Sequence, residues 1–223
     1  MVGKSGRVRV KVCCISSLAE AWMAIDAGAA AIGLVSRMPS GPGAIDECVI
    51  AEIAAEIPPA IGTFLLTCSQ DAEEIVEQQR RCGVNTVQLC DRLVSGTYRQ
   101  LRAGMPGVSL VQVIHVVGEE SIAEAQTVAC SVNAILLDSG NPALAVKELG
   151  GTGRRHDWQL SRRIRESVAT PIFLAGGLRP ENVREAIRTV QPFALDVCTG
   201  VRTDGRLDSA KLDLLLQESR SEA

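Results

Sequence analysis

The chain contains 223 residues, of which 46% are hydrophobic and 3% aromatic, and its formal net charge is −3 at pH 7. This length is typical of one closed α/β domain. With 26 acidic and 23 basic residues and neither a basic tail nor an acidic block, the composition argues against a nucleic-acid partner and against binding to a membrane surface.

The eight cysteines are scattered along the chain, with no CxxC pair and no Cys/His cluster. We therefore expect reduced thiols and no metal site. Met1–Gly6 has no apolar core of the kind that a signal peptide needs. The apolar stretch 19–35 is interrupted by Glu20 and Asp26 and is too short to span a bilayer. These features predict a cytoplasmic protein.

Short β-type runs alternate with helix-length segments along the whole chain. Strands are predicted at residues 8–13, 29–35, 60–66, 84–89, 108–116, 132–138, 170–175 and 194–198. Helices are predicted at 17–28, 46–56, 71–82, 95–104, 119–130, 158–168, 180–190 and 208–219. Ser17 and Pro180 have the character of helix starts, and Gly28 and Gly83 of helix stops. Eight alternating units predict parallel strands closed into a (β/α)8 TIM barrel, with residues 1–223 as a single domain.

The first strand places Lys11 and Cys13 on one face, because side chains alternate along a strand. In a closed barrel the eighth strand lies beside the first, so Asp196 can pair with Lys11 inside the barrel. An ammonium group near Cys13 would favour its thiolate, the form that accepts a proton. Position alone leaves two interpretations of Cys13 open: a catalytic base, or a small buried apolar residue.

Asp138 ends the apolar sixth strand, where a carboxyl group is costly to bury unless it is paired, hydrogen-bonded or at the open mouth of the barrel. The long loop 139–157 follows it, on the face where β/α barrels bind substrates. A thiol and a carboxyl group at this face indicate acid–base catalysis. His115 and His156 have no evident partner in the sequence, and we interpret them as structural or surface residues.

Three glycine-containing segments follow the sixth, seventh and eighth strands. Glycine lets backbone N–H groups approach an anion closely, and barrels often bind phosphate after strands seven and eight. We therefore predict that these segments bind a phosphorylated small molecule. The segments are Gly150-Gly151-Thr152-Gly153, Ala175-Gly176-Gly177 and Thr199-Gly200.

The order of these motifs resembles the phosphoribosylanthranilate isomerase family, (β/α)8 enzymes of tryptophan biosynthesis. The resemblance covers nearly the whole chain. It rests on Lys11-Val12-Cys13, Ala27-Gly28-Ala29-Ala30-Ala31-Ile32-Gly33, Val87-Gln88-Leu89, Leu136-Leu137-Asp138, Gly150-Gly151-Thr152-Gly153, His156-Asp157-Trp158, Ala175-Gly176-Gly177-Leu178, Pro180-Glu181-Asn182-Val183 and Asp196-Val197-Cys198-Thr199-Gly200-Val201.

The resemblance implies an Amadori rearrangement of N-(5'-phosphoribosyl)anthranilate that needs no cofactor. Asp138 would be the general acid and Cys13 the general base. The substrate-binding residues would be Lys11, Arg37, Gly151, Gly153, Gly176, Gly177, Asp196, Thr199 and Gly200. The implied partner is the phosphorylated substrate, and the chain would be a monomer or a homodimer.

Several positions depart from the family pattern. The chain has Cys14 where the family usually has Gly, Cys90-Asp91 where it has His-Gly, and Cys198 where it tends to have Ser. Pro42 stands where an Arg commonly binds the anthranilate carboxylate, and Arg37 of the same loop could replace that Arg. Two alternatives therefore stay open: an isomerase of another phosphorylated aminosugar, or a non-catalytic protein that binds a phosphorylated ligand.

Overall fold

The computed structural model describes residues 8–220, and Met1–Gly6, where no signal peptide is predicted, lies outside them. Eight parallel strands close into a barrel by pairing of the first with the eighth, which confirms the (β/α)8 prediction. The strands are β1 Arg9–Val12, β2 Ala31–Val35, β3 Gly62–Thr67, β4 Thr86–Leu89, β5 Ser109–His115, β6 Ala134–Asp138, β7 Ile172–Leu174 and β8 Ala194–Val197.

A helix follows each strand and covers the outside of the barrel. The helices are α1 Leu18–Ala27, α2 Glu47–Glu56, α3 Ala72–Cys82, α4 Tyr98–Gly104, α5 Glu120–Ala129, α6 Trp158–Ser167, α7 Val183–Val190 and α8 Ser209–Arg220. Ser17 caps α1 by accepting a hydrogen bond from the Glu20 amide, as predicted. Gly28 and Gly83 end α1 and α3 in the left-handed conformation, also as predicted. None of the helices in residues 8–220 is long and apolar enough to cross a membrane.

Two local predictions differ from the structure. Helix α7 begins at Val183 rather than at Pro180, because Asn182 Oδ1 accepts a hydrogen bond from the Arg179 amide and holds the preceding residues in a turn. After β8 the sequence predicts only a loop, whereas the structure has a short 3₁₀ helix, Thr199–Val201, and a small hairpin of β9 Arg202–Thr203 and β10 Arg206–Leu207.

The apolar core has two layers. The larger layer fills the space between barrel and helices, and the smaller one lies inside the barrel around Phe64 and Phe173, whose ring centroids are 5.9 Å apart. Lys11 lies opposite Asp196 in the β1–β8 register. Its Nζ atom lies 5.1 Å from the centroid of the Phe64 ring. These side chains fill the barrel interior around β1, β3, β7 and β8.

Candidate active site

A cavity opens at the carboxyl ends of the strands and, counted with its opening to solvent, has a volume of ≈ 690 Å³. Most of the predicted site residues line it, namely Cys13, Asp138, Gly151, Gly153, Gly176, Gly177, Asp196 and Thr199. Residues from opposite ends of the chain, such as Cys13 and Asp196, therefore meet at one site.

Cys13 follows β1 directly, and its amide continues the ladder by donating to the Val197 carbonyl at 2.7 Å. Its side chain is 5% exposed and reaches the cavity. Gly33 of β2 makes room for it, because a Cβ atom there would lie 2.9 Å from Cys13 Sγ and 3.1 Å from Lys11 Nζ. The thiol and the ammonium group are thus neighbours around the same glycine.

The predicted Lys11–Asp196 pair is confirmed, with Lys11 Nζ 2.9 Å from Asp196 Oδ1. Burial alone would lower the pKa of Lys11, but attraction by Asp196, and by Cys13 when that thiol is ionised, raises it well above its ordinary value. The ammonium group therefore keeps its charge. Lys11 does not line the cavity itself, so it lies beneath the floor as a fixed positive charge.

Asp138 is the last residue of β6 and is 7% exposed. Its Oδ1 atom accepts hydrogen bonds from the Ser139 amide at 2.7 Å and the Ser139 hydroxyl at 3.4 Å. Gly150 passes over the other oxygen, since a Cβ atom there would lie 2.8 Å from Asp138 Oδ2. Gly150 has φ +137°, which L side chains rarely adopt. The carboxyl group is therefore oriented by its neighbours at the cavity wall.

The three glycine segments meet on the side of the cavity that follows β6, β7 and β8. Gly151, Gly153, Gly176 and Gly177 all have positive φ, and such backbone turns present successive N–H groups to an anion. Gly200 lines an adjoining groove rather than the cavity, together with Gly153, Gly177 and Thr199. A Cβ atom at Gly200 would lie 1.9 Å from the Leu178 carbonyl oxygen, so this backbone crossing requires glycine.

Two loops meet over the cavity: loop 2, residues 36–46, and loop 6, residues 139–157. The Ser40 hydroxyl donates to the Lys147 carbonyl at 2.7 Å. A Cβ atom at Gly151 would lie 2.5 Å from Pro42 Cδ. The loops therefore pack together and cover part of the opening.

Arg37 is exposed and does not line the cavity. Its carbonyl accepts a hydrogen bond from Cys68 Sγ at 3.2 Å. The chain turns into the cavity only after it, with Met38 and Ser40. In this loop conformation Arg37 is therefore not brought to the other predicted site residues.

The β4 end differs chemically from the family pattern. Burial raises the pKa of the Cys90 thiol well above its ordinary value, so this wall residue is uncharged. Asp91 is buried and forms an ion pair with Lys147 of loop 6. Among the cavity-lining residues that the structure describes there is no lysine and no arginine.

Sequence reasoning missed Gly33 and Gln88. Gln88 is 3% exposed and lines the cavity, and its Oε1 atom has no hydrogen-bond partner within the described part of the chain. A polar residue between Val87 and Leu89 is the signal that could have found it, because a buried polar group in an apolar strand is costly unless the protein or a ligand supplies a hydrogen bond.

Both histidines are held by the protein scaffold. His115 Nε2 lies 3.1 Å from the Cys90 carbonyl oxygen. His156 Nε2 lies 2.7 Å from the Ser161 hydroxyl, and burial lowers the pKa of His156 to about 4. His156 is therefore uncharged at neutral pH and adds no positive charge beside the glycine segments.

Comparisons with known proteins identify the family of this chain. A family model described as N-(5'phosphoribosyl)anthranilate (PRA) isomerase matches residues 10–218. An N-(5'-phosphoribosyl)anthranilate isomerase 2 of Methanosarcina mazei is 38% identical over 207 residues, covering 92% of this chain and 91% of the relative. The corresponding isomerase of Halorubrum lacusprofundi is 36% identical over 202 residues, covering 90% and 91%.

Solved structures agree with the sequence relatives. A phosphoribosyl anthranilate isomerase of Thermotoga maritima has a TM-score of 0.80 at 29% identity, with 96% of this chain and 99% of that chain covered. An isomerase solved with reduced 1-(o-carboxyphenylamino)-1-deoxyribulose 5-phosphate has a TM-score of 0.77 at 27% identity, with the same coverage. The chain therefore belongs to the N-(5'-phosphoribosyl)anthranilate isomerase family.

Proposed function

We infer that this chain catalyses the isomerisation of N-(5'-phosphoribosyl)anthranilate to 1-(2-carboxyphenylamino)-1-deoxyribulose 5-phosphate, a step of tryptophan biosynthesis. The observation that carries the proposal is the placement of Cys13, Asp138 and the glycine segments around one cavity. The relative solved with the reduced 1-deoxyribulose phosphate binds a compound of the same carbon skeleton as the product.

Asp138 is assigned the first proton transfer. Its protonated carboxyl group donates a proton to the ring oxygen of the ribose, the bond between that oxygen and C1 breaks, and the nitrogen lone pair forms a positively charged iminium with C1. Ser139 holds Oδ1 at 2.7 Å, so we assign the donated proton to Oδ2. The acid lies at the cavity wall and is 7% exposed.

Cys13 is assigned the second proton transfer. Its thiolate removes the proton from C2, the electron pair of that bond forms a C1=C2 double bond, and the second electron pair of the C1=N bond returns to the nitrogen. The resulting enol tautomerises to the ketone. The charged Lys11 ammonium group and the Cys13 thiol are neighbours around Gly33. Asp196 keeps the ammonium group fixed, so Lys11 and Asp196 act as positioning residues in this mechanism.

The phosphate end of the substrate is assigned to the glycine segments. Backbone N–H groups of Gly151, Gly153, Gly176, Gly177 and Gly200 are close to the anion in this assignment, with Thr199 offering a hydroxyl. Neutral groups suffice, because several converging N–H dipoles stabilise a phosphate without a cationic side chain.

One observation, at the place where the anthranilate end of the substrate would lie, favours a second candidate function. No lysine or arginine is among the described residues that line the cavity, so the carboxylate of anthranilate has no cationic partner in this loop conformation. The second candidate is an isomerase with the same acid and base that acts on another phosphorylated aminosugar. Arg37 or Lys147 would favour the first candidate if loop 2 or loop 6 rearranged to bring it to the carboxylate.

We further propose that the enzyme acts in the cytoplasm as a monomer or a homodimer. All eight cysteines are free thiols, which is typical of a reducing compartment. Among the relatives, the isomerase of Thermotoga maritima is described as dimeric and has also been obtained as monomers.

Growth of a bacterial strain that lacks its own PRA isomerase, in medium without tryptophan, tests the proposal. The wild-type chain should restore growth, and Asp138→Asn and Cys13→Ser should not at equal protein levels. Growth with Asp138→Asn would contradict the assigned acid. The second candidate is tested with purified protein: kcat/KM should be about tenfold or more lower for N-phosphoribosylaniline, which lacks the carboxylate, than for the anthranilate compound. Equal values would favour the second candidate.

A further inference from the structure

Two thiols that the mechanism does not use face each other in the cavity. Cys14 and Cys198 both line it, and their Sγ atoms lie 2.7 Å apart. Both are free thiols in this structure.

The backbone around the pair is suited to a covalent bond between the sulfur atoms. Val12 and Val197 are register partners of the parallel β1 and β8 strands, so Cys14 and Cys198 lie just beyond a paired ladder. Continued by one residue, the β1–β8 register sets Cys13 opposite Cys198, so Cys14 is offset from Cys198 by one residue. With neighbouring strands about 4.8 Å apart and a rise of about 3.3 Å per residue, this offset gives a Cα separation of about 6 Å, within the roughly 4.4–6.8 Å of disulfide-linked residues. Cys14 has φ +62°, an uncommon conformation for a non-glycine residue, and this conformation accompanies the approach of the two thiols.

The surroundings of the pair favour reaction at Cys198. Its side chain is half-buried and reaches the cavity, whereas Cys14 is 5% exposed. The hydrogen bond with Cys14, together with the positive charge of Arg202, lowers the pKa of the Cys198 thiol. A thiolate is the nucleophilic form of cysteine. A small oxidant that enters the cavity therefore meets Cys198 first, with Cys14 in reach of its sulfur.

We propose that Cys14 and Cys198 are a redox modification site, at which a hydroperoxide converts the two thiols into an intramolecular disulfide. The Cys198 thiolate attacks one oxygen of the hydroperoxide, the O–O bond breaks, and a sulfenic acid forms while the leaving oxygen takes a proton. Cys14 sulfur then attacks the sulfenic sulfur, the S–O bond breaks, and water leaves with the Cys14 proton. With hydrogen peroxide the sum is two thiols and one peroxide giving one disulfide and two waters.

The disulfide changes the backbone next to the assigned base and next to the phosphate segments at the same time. Cys14 follows Cys13, the assigned base, and Cys198 precedes Thr199 of the phosphate segments. Oxidation also removes the thiol proton that Cys14 donates to the Pro42 carbonyl of loop 2 at 3.6 Å. Displacing a catalytic group by about 1 Å can cost about 100-fold in rate. The oxidised enzyme therefore has a kcat/KM at least about tenfold lower, and a dithiol reductant restores it.

Peptide mapping after treatment with hydrogen peroxide tests the disulfide independently of the proposed activity. Tryptic cleavage after Lys11 and Arg37 releases peptide 12–37, which holds Cys13 and Cys14, and cleavage after Arg188 and Arg202 releases peptide 189–202, which holds Cys198. The expected result is a linked pair of these peptides that separates on reduction. Cys48→Ser is the matched control, because Cys48 is exposed outside the cavity and its loss should leave the link intact.

Variants identify the bonded sulfur atoms. The link should be absent from Cys14→Ala and from Cys198→Ser. A link that persists in Cys14→Ala would assign the bond to Cys13 and overturn the proposal. So would the absence of the link from the wild-type protein at a peroxide dose that oxidises Cys48.

Activity measurements test the consequence separately. Each protein is compared with its own untreated form, and wild type should lose at least about tenfold in kcat/KM and recover with dithiothreitol. Cys198→Ser should keep most of its untreated value. If Cys198→Ser loses as much as wild type, oxidation of Cys13 explains the inhibition and the proposed effect of the disulfide is wrong.

Discussion

Replacing Lys11 by methionine would leave the carboxyl group of Asp196 buried without its partner. Lys11 is 1% exposed and Asp196 8% exposed, and Lys11 Nζ lies 2.9 Å from Asp196 Oδ1. At this separation, and with the effective dielectric constant of about 20 that suits protein sites, the attraction between the two charges is about 6 kcal/mol. Most of this attraction offsets the cost of removing both charges from water.

The expected loss of stability is therefore smaller than the gross attraction. Breaking a buried ion pair by removing one partner costs about 3–5 kcal/mol, which is a large share of the roughly 5–15 kcal/mol that stabilises a typical domain. The double variant Lys11→Met/Asp196→Leu should recover most of the loss, because it leaves no buried charge. Arg162→Met is the matched surface control, and removing its exposed pair with Glu166 should cost about 0.5 kcal/mol or less.

The loss of stability in Lys11→Met should increase as pH rises. Burial raises the pKa of Asp196, an effect that Lys11 opposes, so removing Lys11 raises that pKa further. A carboxyl group whose folded-state pKa is above its unfolded value of about 3.9 keeps its proton in the folded state after the unfolded state has lost it. The stability of Lys11→Met should thus fall as pH rises above about 4. In wild type the raised pKa of Lys11 keeps its contribution fully present below the unfolded pKa of about 10.4.

Urea unfolding at pH 5 and pH 8, followed by circular dichroism, measures both effects. The difference between wild type and Lys11→Met should be larger at pH 8 than at pH 5. A difference of less than about 1 kcal/mol at pH 8, with an unchanged m-value, would refute the argument that the pair is buried and mutually dependent. So would a double variant that is no more stable than Lys11→Met.

Three further predictions follow from the site. Gly33→Ala should lower kcat/KM about 10- to 100-fold, because its Cβ would lie 2.9 Å from Cys13 Sγ; Gly104→Ala, which crowds only Val76, should leave kcat/KM within about twofold of wild type. Thr199→Val should weaken the binding of inorganic phosphate about tenfold in a titration calorimetry experiment, since a hydrogen bond to a charged group is worth about 1.5–3 kcal/mol. Unchanged binding would show that Thr199 is not part of the phosphate site. Wild type should lose up to about 3 kcal/mol of stability as pH falls from about 6.5 to 4. The reason is that His156 has a folded pKa of about 4, lower than its unfolded value, so the unfolded state binds the proton first. His156→Gln should reduce this loss in urea unfolding, and an identical loss in both proteins would contradict the assignment.

The barrel could be predicted from the sequence because each strand–helix unit repeats the same pattern. Buried parallel strands are continuous apolar runs, and Ser17, Gly28 and Gly83 mark helix ends by local chemistry. The predicted start of α7 was wrong because Pro180 fits either the first turn of a helix or the turn before a helix. The side chain of Asn182 decides between them, and its choice depends on the chain around it.

The buried pair of Lys11 and Asp196 could be predicted because it depends only on strand periodicity and on closure of the barrel. The position of Arg37 could not, because loop 2 takes its course from contacts with loop 6, such as that of Ser40 with Lys147. That contact joins residues 107 positions apart and follows no local pattern.

The contact between Cys14 and Cys198 also lay beyond sequence reasoning. Alternation along a strand would place Cys14 on the opposite face from Cys13. Its left-handed conformation, φ +62°, brings both cysteines into the cavity lining. A single backbone dihedral angle thus decides whether the second thiol belongs to the site.

The most direct measurement of the central claim is the decrease in anthranilate-type fluorescence when the purified protein is mixed with freshly prepared N-(5'-phosphoribosyl)anthranilate. Wild type and the control Asp213→Asn, whose residue is exposed on α8, should show equal turnover. Asp138→Asn and Cys13→Ser should each be at least about 100-fold slower, the usual contribution of a general acid or base. Folded wild-type protein without turnover, or Asp138→Asn with turnover like that of Asp213→Asn, would contradict the account.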